Sequence, residues 1–526
     1  MQLFLDIYGF LNVVLRGFIL AVQSLTGGGV AFLILALPRA ETATWTRSRR
    51  MLFWGAVALS IAEALSAAGL LVLLHGTLEQ PLLQLLDVHA VLAALAASAL
   101  AAAIAFVVRA DKPLNWAAAL CLGLLATQVT VTHAVSRSEH APQLFLAEFA
   151  HMAGVAVWIG GIPYFLLSLL HSDLPARRRI AARFSAMSVG SVATLVAAGF
   201  YLASEYVGDA KALYGSSYGV MLSAKIVLLA ALLMFGGMNF LTVRRWKREP
   251  GTSISSMRRF AETEIGVGLT VLFCAASLAS LPPAREMAND WASAREVVGR
   301  VAPQWPPRLE SPDHASLSTS QQSAVDLAAP APPRTDEDIA WSEYNHHWAG
   351  IFVLLMGCMA LAEHIERLAP IARHWPLVFL GLGAFIFVRA DEAAWPLGHM
   401  GFFESLRDPE IAQHKLLTLL VFIFGVFEWR VRVGALRNSA AAYVFPLVIA
   451  AAAAFLLTHS HGLTNPKEEM LIEVSHTPLA LVGVAAGWSR WLELRLDRGA
   501  AHKIASVVWP VSFVFAGLLL LFYREA

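Results

Sequence analysis

Seventeen histidines are spread over the 526 residues, and three of them, with one glutamate, recur in a pattern with chemical meaning. His89, Glu148 and His151 reappear at a constant offset of 325 residues as His414, Glu473 and His476. A fourth member shifts by one position, from Thr132-His133 to Thr458-His459. Imidazole is the commonest metal ligand among side chains and also carries protons. A Glu-x-x-His pair places its carboxylate and imidazole on one helix face, an arrangement that builds metal sites in the cores of helix bundles. Each half of the chain could therefore gather three imidazoles and a carboxylate from three neighbouring helices. In the second half His346, His347 and His461 are candidates to extend the set. His346 and His347 point about 100° apart on a helix, so at most one of them shares the centre. His399 and Met400 could form an entry point. The bland alternative is that these polar clusters only glue helices together.

The elements that must hold these residues are membrane helices. The chain is 57% hydrophobic and 15% charged, against about 45–50% and about 25% in soluble domains. A water-soluble enzyme of ordinary kind is excluded. The expected fold is an all-α, polytopic integral membrane helical bundle of about fourteen spans, because lipid leaves the backbone no other open-chain solution. The spans fall near 10–37, 51–75, 85–108, 114–135, 143–170, 184–207, 217–241, 257–281, 345–368, 375–391, 414–433, 441–460, 473–491 and 504–523. The first carries Asp6 and no basic region before it, and is expected to be a span rather than a cleaved signal peptide. Cys121, Cys274 and Cys358 form no CxxC pair, so neither a disulfide framework nor a thiolate cluster is expected. Lys+Arg 39 against Asp+Glu 38 argues for no nucleic-acid partner.

Basic residues orient the spans by the positive-inside rule. Arg47, Arg49 and Arg50 follow the first span, Arg177, Arg178 and Arg179 the fifth, Arg244, Arg245 and Lys247 the seventh, and Arg430 and Arg432 the eleventh. Every odd-numbered span then ends in the cytoplasm, and both termini lie outside. Applied to the histidines, this topology sends twelve of the 17 to exterior helix ends. The offset keeps helix parity, so the repeat of spans 3–5 in spans 11–13 is a parallel one. Three regions result: 1–281 as an eight-helix domain, 282–344 as an exterior linker rich in Pro, Ser and Ala, and 345–526 as a six-helix, His-rich domain.

The stretch from His133 to Asn239 resembles the copper resistance protein D family of bacterial inner-membrane proteins. The resemblance rests on THAVSR, on EFAHMAGVAVWIGGIPYFL, on ARFSAMSV, and on SSYGVMLSAKIVLLAALLMFGGMNF. His133, His151, Trp158, Gly160 and Gly161 match the family's signature residue by residue, while Glu148 stands where an Asp is expected. The resemblance implies copper handling at the inner membrane, usually as uptake, with a periplasmic copper carrier as partner. The chemistry agrees: imidazoles bind both copper ions, and the thiolates of a structural zinc site are missing. Met234 and Met238 could offer thioethers deeper in the membrane.

The leading expectation is a non-enzymatic copper-binding membrane protein with His89, His133, Glu148, His151, His347, His414, His459, His461, Glu473 and His476 as ligands. A second is a membrane redox protein binding haem b through His347, His414, His459 and His476. A third is a scaffold or assembly subunit. No Walker-type loop, nucleophile elbow or CxxCH motif points to a pump driven by ATP, a hydrolase or a c-type haem.

Overall fold

Apolar runs of twenty residues or more fold as helices throughout, and no strand occurs among the described residues. The computed structural model describes residues 2–133, 140–249, 251–313, 317, 335–391, 394–407, 409–436, 438–458 and 466–525. Twelve stretches are long and apolar enough to cross a membrane, and the chain is a multi-pass integral membrane protein. Helices also occupy the other two expected positions, at Leu114–Val129 and Pro409–Arg432. The first has only 16 residues. The second carries Lys415, Glu428 and Arg430 within its apolar run.

Two compact units divide the chain: Met1–Trp291 with Leu457–Ser460, and Ala292–Leu456 with His461–Ala526. The first unit contains α1 (Gln2–Leu35), α2 (Thr42–Leu78), α3 (His89–Arg109), α4 (Leu114–Val129), α5 (Ala141–Trp158), α6 (Ile162–His171), α7 (Leu174–Val207), α8 (Ser217–Arg248) and α9 (Ser255–Ser280). α1 packs against α2, α5 and α9, α5 lies along α7, and α8 lies along α9. The Asp173 carboxylate accepts the Ala176 N–H at 2.7 Å to start α7, and Ser216 accepts the Gly219 N–H at 3.0 Å to start α8. Both are N-caps of the ordinary kind. One span, 141–171, breaks between α5 and α6 at Ile159-Gly160-Gly161, followed by Pro163. A Cβ on Gly160 would stand 1.8 Å from the Ser24 carbonyl oxygen. Only glycine lets α1 meet this break backbone to backbone, the small-residue contact typical of membrane helices.

The second unit contains α10 (Ala294–Val301), α11 (Asp336–Ala362), α12 (Val378–Arg389), α13 (Pro409–Arg432), α14 (Val444–Leu456), α15 (Pro466–Arg495) and α16 (Ala500–Leu521). α16 packs on α11 and α15, α14 on α15, and α13 on α12. A buried aromatic core of Trp375, Phe379, Phe445, Trp509 and Phe513 joins them. The segment after residue 281 is structured in its first part. It forms a 3-10 turn at Ala284–Asp290 and then α10, whose Ser293 and Glu296 make a reciprocal capping box. Arg300 of α10 is buried, and its Nε donates to the Leu471 carbonyl of α15 at 3.1 Å.

Candidate functional site

In the first unit α5 presents Glu148 and His151 on one face, as their spacing requires. Facing them is α7. The Tyr206 hydroxyl donates to Glu148 Oε1 at 3.2 Å, and the Tyr206 ring lies 6.4 Å from the His133 ring, edge to face. One tyrosine thus touches both partners of the expected site. His151 Nδ1–H donates to the Leu195 carbonyl at 3.1 Å, which fixes the tautomer and leaves the lone pair on Nε2. Metal-ligating histidines are held the same way, by a main-chain or carboxylate acceptor behind the ring. A Cβ on Gly199 would come within 3.2 Å of the His151 ring, so this glycine makes the notch on α7 that the imidazole occupies.

Charged groups surround this cluster. Lys225 of α8 acts electrostatically on Glu148 and His151, and Arg16 of α1 acts on Glu148 and Glu63. The Gln128 amide donates to the Glu63 carboxylate, while His140 lies 4.0 Å from Glu205. The sequence leaves open whether Lys225 and Arg16 meet Glu205 or Glu63. Arg16 faces Glu63 and Glu148, and Lys225 faces Glu148. Both basic groups act on Glu148 electrostatically, while its hydrogen bond comes from Tyr206. His89 opens α3 with its side chain exposed.

In the second unit the histidines divide. His346 and His476 stand with ring centroids 6.0 Å apart. Each donates Nδ1–H to the carbonyl one turn back, of Ser342 and Ile472 respectively, both at 2.8 Å. The Tyr523 ring stacks on His346 at 4.0 Å. Burial pushes the Tyr523 hydroxyl above the ordinary tyrosine range, with Glu525 adding to the effect. Glu473, one turn before His476, is buried. His414 joins another partner: its Nδ1 lies 2.5 Å from Asp391 Oδ1, beside Lys415, whose Nζ donates to the Phe387 carbonyl at 2.6 Å.

His347 is a correction to the expected ligand set, for both the metal and the haem reading. It is wholly buried, its Nδ1 accepts the Arg308 N–H at 2.6 Å, and its Nε2 reaches the Tyr523 carbonyl at 2.8 Å. Both nitrogens are committed to the main chain, which leaves no lone pair for a metal. His346, its neighbour, is the one that faces His476. His459 and His461 lie outside the described residues. Among the described residues no three His, Cys, Asp or Glu side chains stand close enough to hold one metal ion.

Sequence reasoning missed Tyr206, Gly199, Asp391 and Tyr523. Tyr206 sits inside a span beside Glu205, and a polar residue at membrane depth was the available signal. Gly199 had none.

The family described as Copper resistance protein D matches residues 178–278, which cover all of α8 and most of α7 and α9. The match includes Leu195, Gly199, Tyr206 and Lys225, and begins after His133, Glu148 and His151. A curated protein, Copper transport protein CutJ of Bacillus subtilis (strain 168), is 28% identical over 181 residues. That is 33% of this chain and 32% of the relative, so the chain spans about a third of that relative's length. No solved structure matches. The chain is similar, at this coarse level, to membrane proteins that handle copper.

Proposed function

We propose that this is a non-enzymatic copper-handling protein of a bacterial inner membrane, which takes copper on the periplasmic side for import or hand-over. The observation that carries the reading is the arrangement of His133, Tyr206, Glu148 and His151 at membrane depth. It lies next to helices that match copper resistance protein D, and its one fixed imidazole tautomer is that of a ligand. Intramembrane ionisable clusters of this kind mark ion pathways. The basic residues orient the cluster outward, with Arg177, Arg178 and Arg179 of α7 on the cytoplasmic side. Soluble delivery by a periplasmic copper carrier follows from the family resemblance.

Copper is the cargo in this account. Copper would draw together groups that stand apart in this structure: His133 and His151 to supply nitrogen and Glu148 to supply oxygen and charge compensation, with Lys225 and Arg16 opposing retention of a cation. Such a site binds and lets go. The two-part repeat is supported by the offset and by its landing on helices. His89 opens α3 and His414 lies in the second turn of α13, and the Glu-x-x-His pairs lie on α5 and α15. We assign a second site to His346 and His476, whose ring centroids stand 6.0 Å apart, with Glu473 one turn before His476.

The test is metal analysis of the purified protein after dialysis against copper, read beside its absorption spectrum. Bound copper without a Soret band supports the reading. A Soret band with no copper bound replaces it by the haem b reading, and neither signal reduces both clusters to helix packing.

A further inference from the structure

Toward the basic end of the first unit, α9 carries a further intramembrane carboxylate, Glu264, which the copper cluster does not use. It is buried, and Asn239 Nδ2 of α8 donates to its Oε1 at 2.5 Å. Glu264 Oε2 lies 3.5 Å from where a Cβ on Gly236 would stand. Gly236, Asn239 and Glu264 all line a cavity of 630 Å³, together with Trp158, Phe184 and Ser188. Two further oxygens in this cavity wall, Asn239 Oδ1 and Ser188 Oγ, are buried with no hydrogen-bond partner among the described residues.

The cavity's position matters as much as its lining. Along α7 it is bounded by Ala181 and Ala197. Ala181 lies seven residues from the start of α7, which is about 10 Å at a helical rise of about 1.5 Å per residue. Ala197 lies between Leu195 and Gly199, the two α7 residues that hold His151. The space therefore runs from near the basic end up to the turn beneath the copper cluster.

Among the described residues no ion pair or hydrogen bond joins Glu264 to a basic side chain, and Arg244 of α8 lies over the Phe240 ring, part of the cavity lining, at 5.7 Å. On α9, Arg258 and Arg259 pair with Glu262, at 3.4 Å and 2.7 Å. On α8, Lys225 acts on Glu148 and His151. On α1, Arg16 acts on Glu63 and Glu148, and Gln23 is uncharged. On α6, Tyr164 packs at Gly29 and His171 meets Arg47. On α7, Arg178 lies over the Trp246 ring. An isolated carboxylate in an apolar interior is far more costly than a neutral acid, and membrane carboxyls without a cation are typical of proton relays.

We propose that Glu264 is a proton-carrying carboxyl, exchanging with the cytoplasmic side through this cavity and coupling proton movement to passage of the cation cargo. In the step itself the O–H bond of the Glu264 acid breaks and its proton passes to water at the basic end. The carboxylate left behind is matched by the positive charge of the arriving cargo, and reprotonation follows its departure. That the cargo is copper rests on the function proposed above; that Glu264 carries a proton does not.

The test is labelling of the full-length protein with dicyclohexylcarbodiimide, an apolar reagent that adds to neutral carboxylic acids. The protein is reconstituted in phospholipid vesicles at pH 7, and the adduct is located by peptide mass spectrometry. Glu264 becomes labelled, Glu262 does not, and the Glu264 adduct is lost in Glu264→Gln. In the same vesicles, proton release driven by added copper is lost in Glu264→Gln and kept in Glu264→Asp, with copper binding at the outer cluster unchanged in both. Absence of the Glu264 adduct in the folded, copper-free protein overturns the proposal. Labelling together with undiminished copper-driven proton release in Glu264→Gln overturns the coupling. Failure of the protein to bind copper at all sinks the cargo assignment alone, since the labelling is measured without metal.

Discussion

Tyr206 holds Glu148 through its hydroxyl, at 3.2 Å, while its ring lies 6.4 Å from His133. The tyrosine belongs to α7 and the carboxylate to α5, so the geometry of the proposed copper cluster is set by how these two helices pack. The hydroxyl occupies one lone-pair direction of Glu148 Oε1. Partners behind metal ligands, once removed, typically lower metal affinity by about 10–100-fold. Tyr206→Phe is therefore expected to weaken copper binding within that range in a folded protein, measured by competition with a chromophoric copper chelator. An unchanged affinity would show that Tyr206 only fills space.

Gly199 offers a steric test on the same helix. Its missing Cβ leaves room for the His151 ring, which would stand at 3.2 Å. Gly199→Val is expected to displace the imidazole and lower copper affinity while the helix remains intact. Gly190, also on α7, has nothing within 4 Å of a Cβ, so Gly190→Ala should bind copper as the natural protein does. Equal effects from both substitutions would point to the helix rather than the notch.

His347 and His476 should part company. His347→Ala removes two buried main-chain hydrogen bonds and leaves a cavity, a loss of about 2–5 kcal/mol for a large buried side chain. A clear drop in Tm in detergent is expected, with copper content per folded molecule unchanged. His476→Ala should leave Tm nearly as it was and lower bound copper by one site. The reverse pattern would return His347 to the ligand set.

The docking of α10 should respond to acid. Lys467 Nζ lies 2.6 Å from Glu296 Oε1. The Lys467 hydrogen bond, helped by Ser293, pulls the Glu296 carboxyl down to about 2, against about 4.3 for a free glutamate. A depressed folded-state value stabilises the native arrangement above the unfolded value, and that stabilisation is lost as pH falls toward about 2. The protection of α10 amides, corrected for the intrinsic exchange rate at each pH, should therefore fall between about pH 4 and about pH 2. Lys467→Ala should flatten the dependence. No change on acidification in the natural protein would mean that Arg300 alone holds the helix.

Much of the fold was legible because lipid leaves few choices. Long apolar runs must become helices, and Leu114–Val129 and Pro409–Arg432 differ from the rest only by length and by charge. The Glu148–His151 face followed from a spacing of three. Helix rotation did not. The 100° between His346 and His347 told that one of them could face His476, yet the choice depends on packing. Gly350 and Gly517 bring α11 and α16 to backbone contact, and Arg308 in the preceding segment claims His347. Tyr206 and Gly199 escaped for a related reason. Neither residue type signals metal chemistry, and each matters only through the register of α7 against α5.

The most direct measurement of the central claim is an experimental structure of the copper-loaded protein with anomalous diffraction recorded at the copper edge. The account predicts a peak in the first unit within coordinating distance of the His133 and His151 imidazoles, with the Glu148 carboxylate on the same centre. A peak bound elsewhere in that unit, or none there in protein that holds copper, with His133 and His151 turned away from a common point, would contradict it.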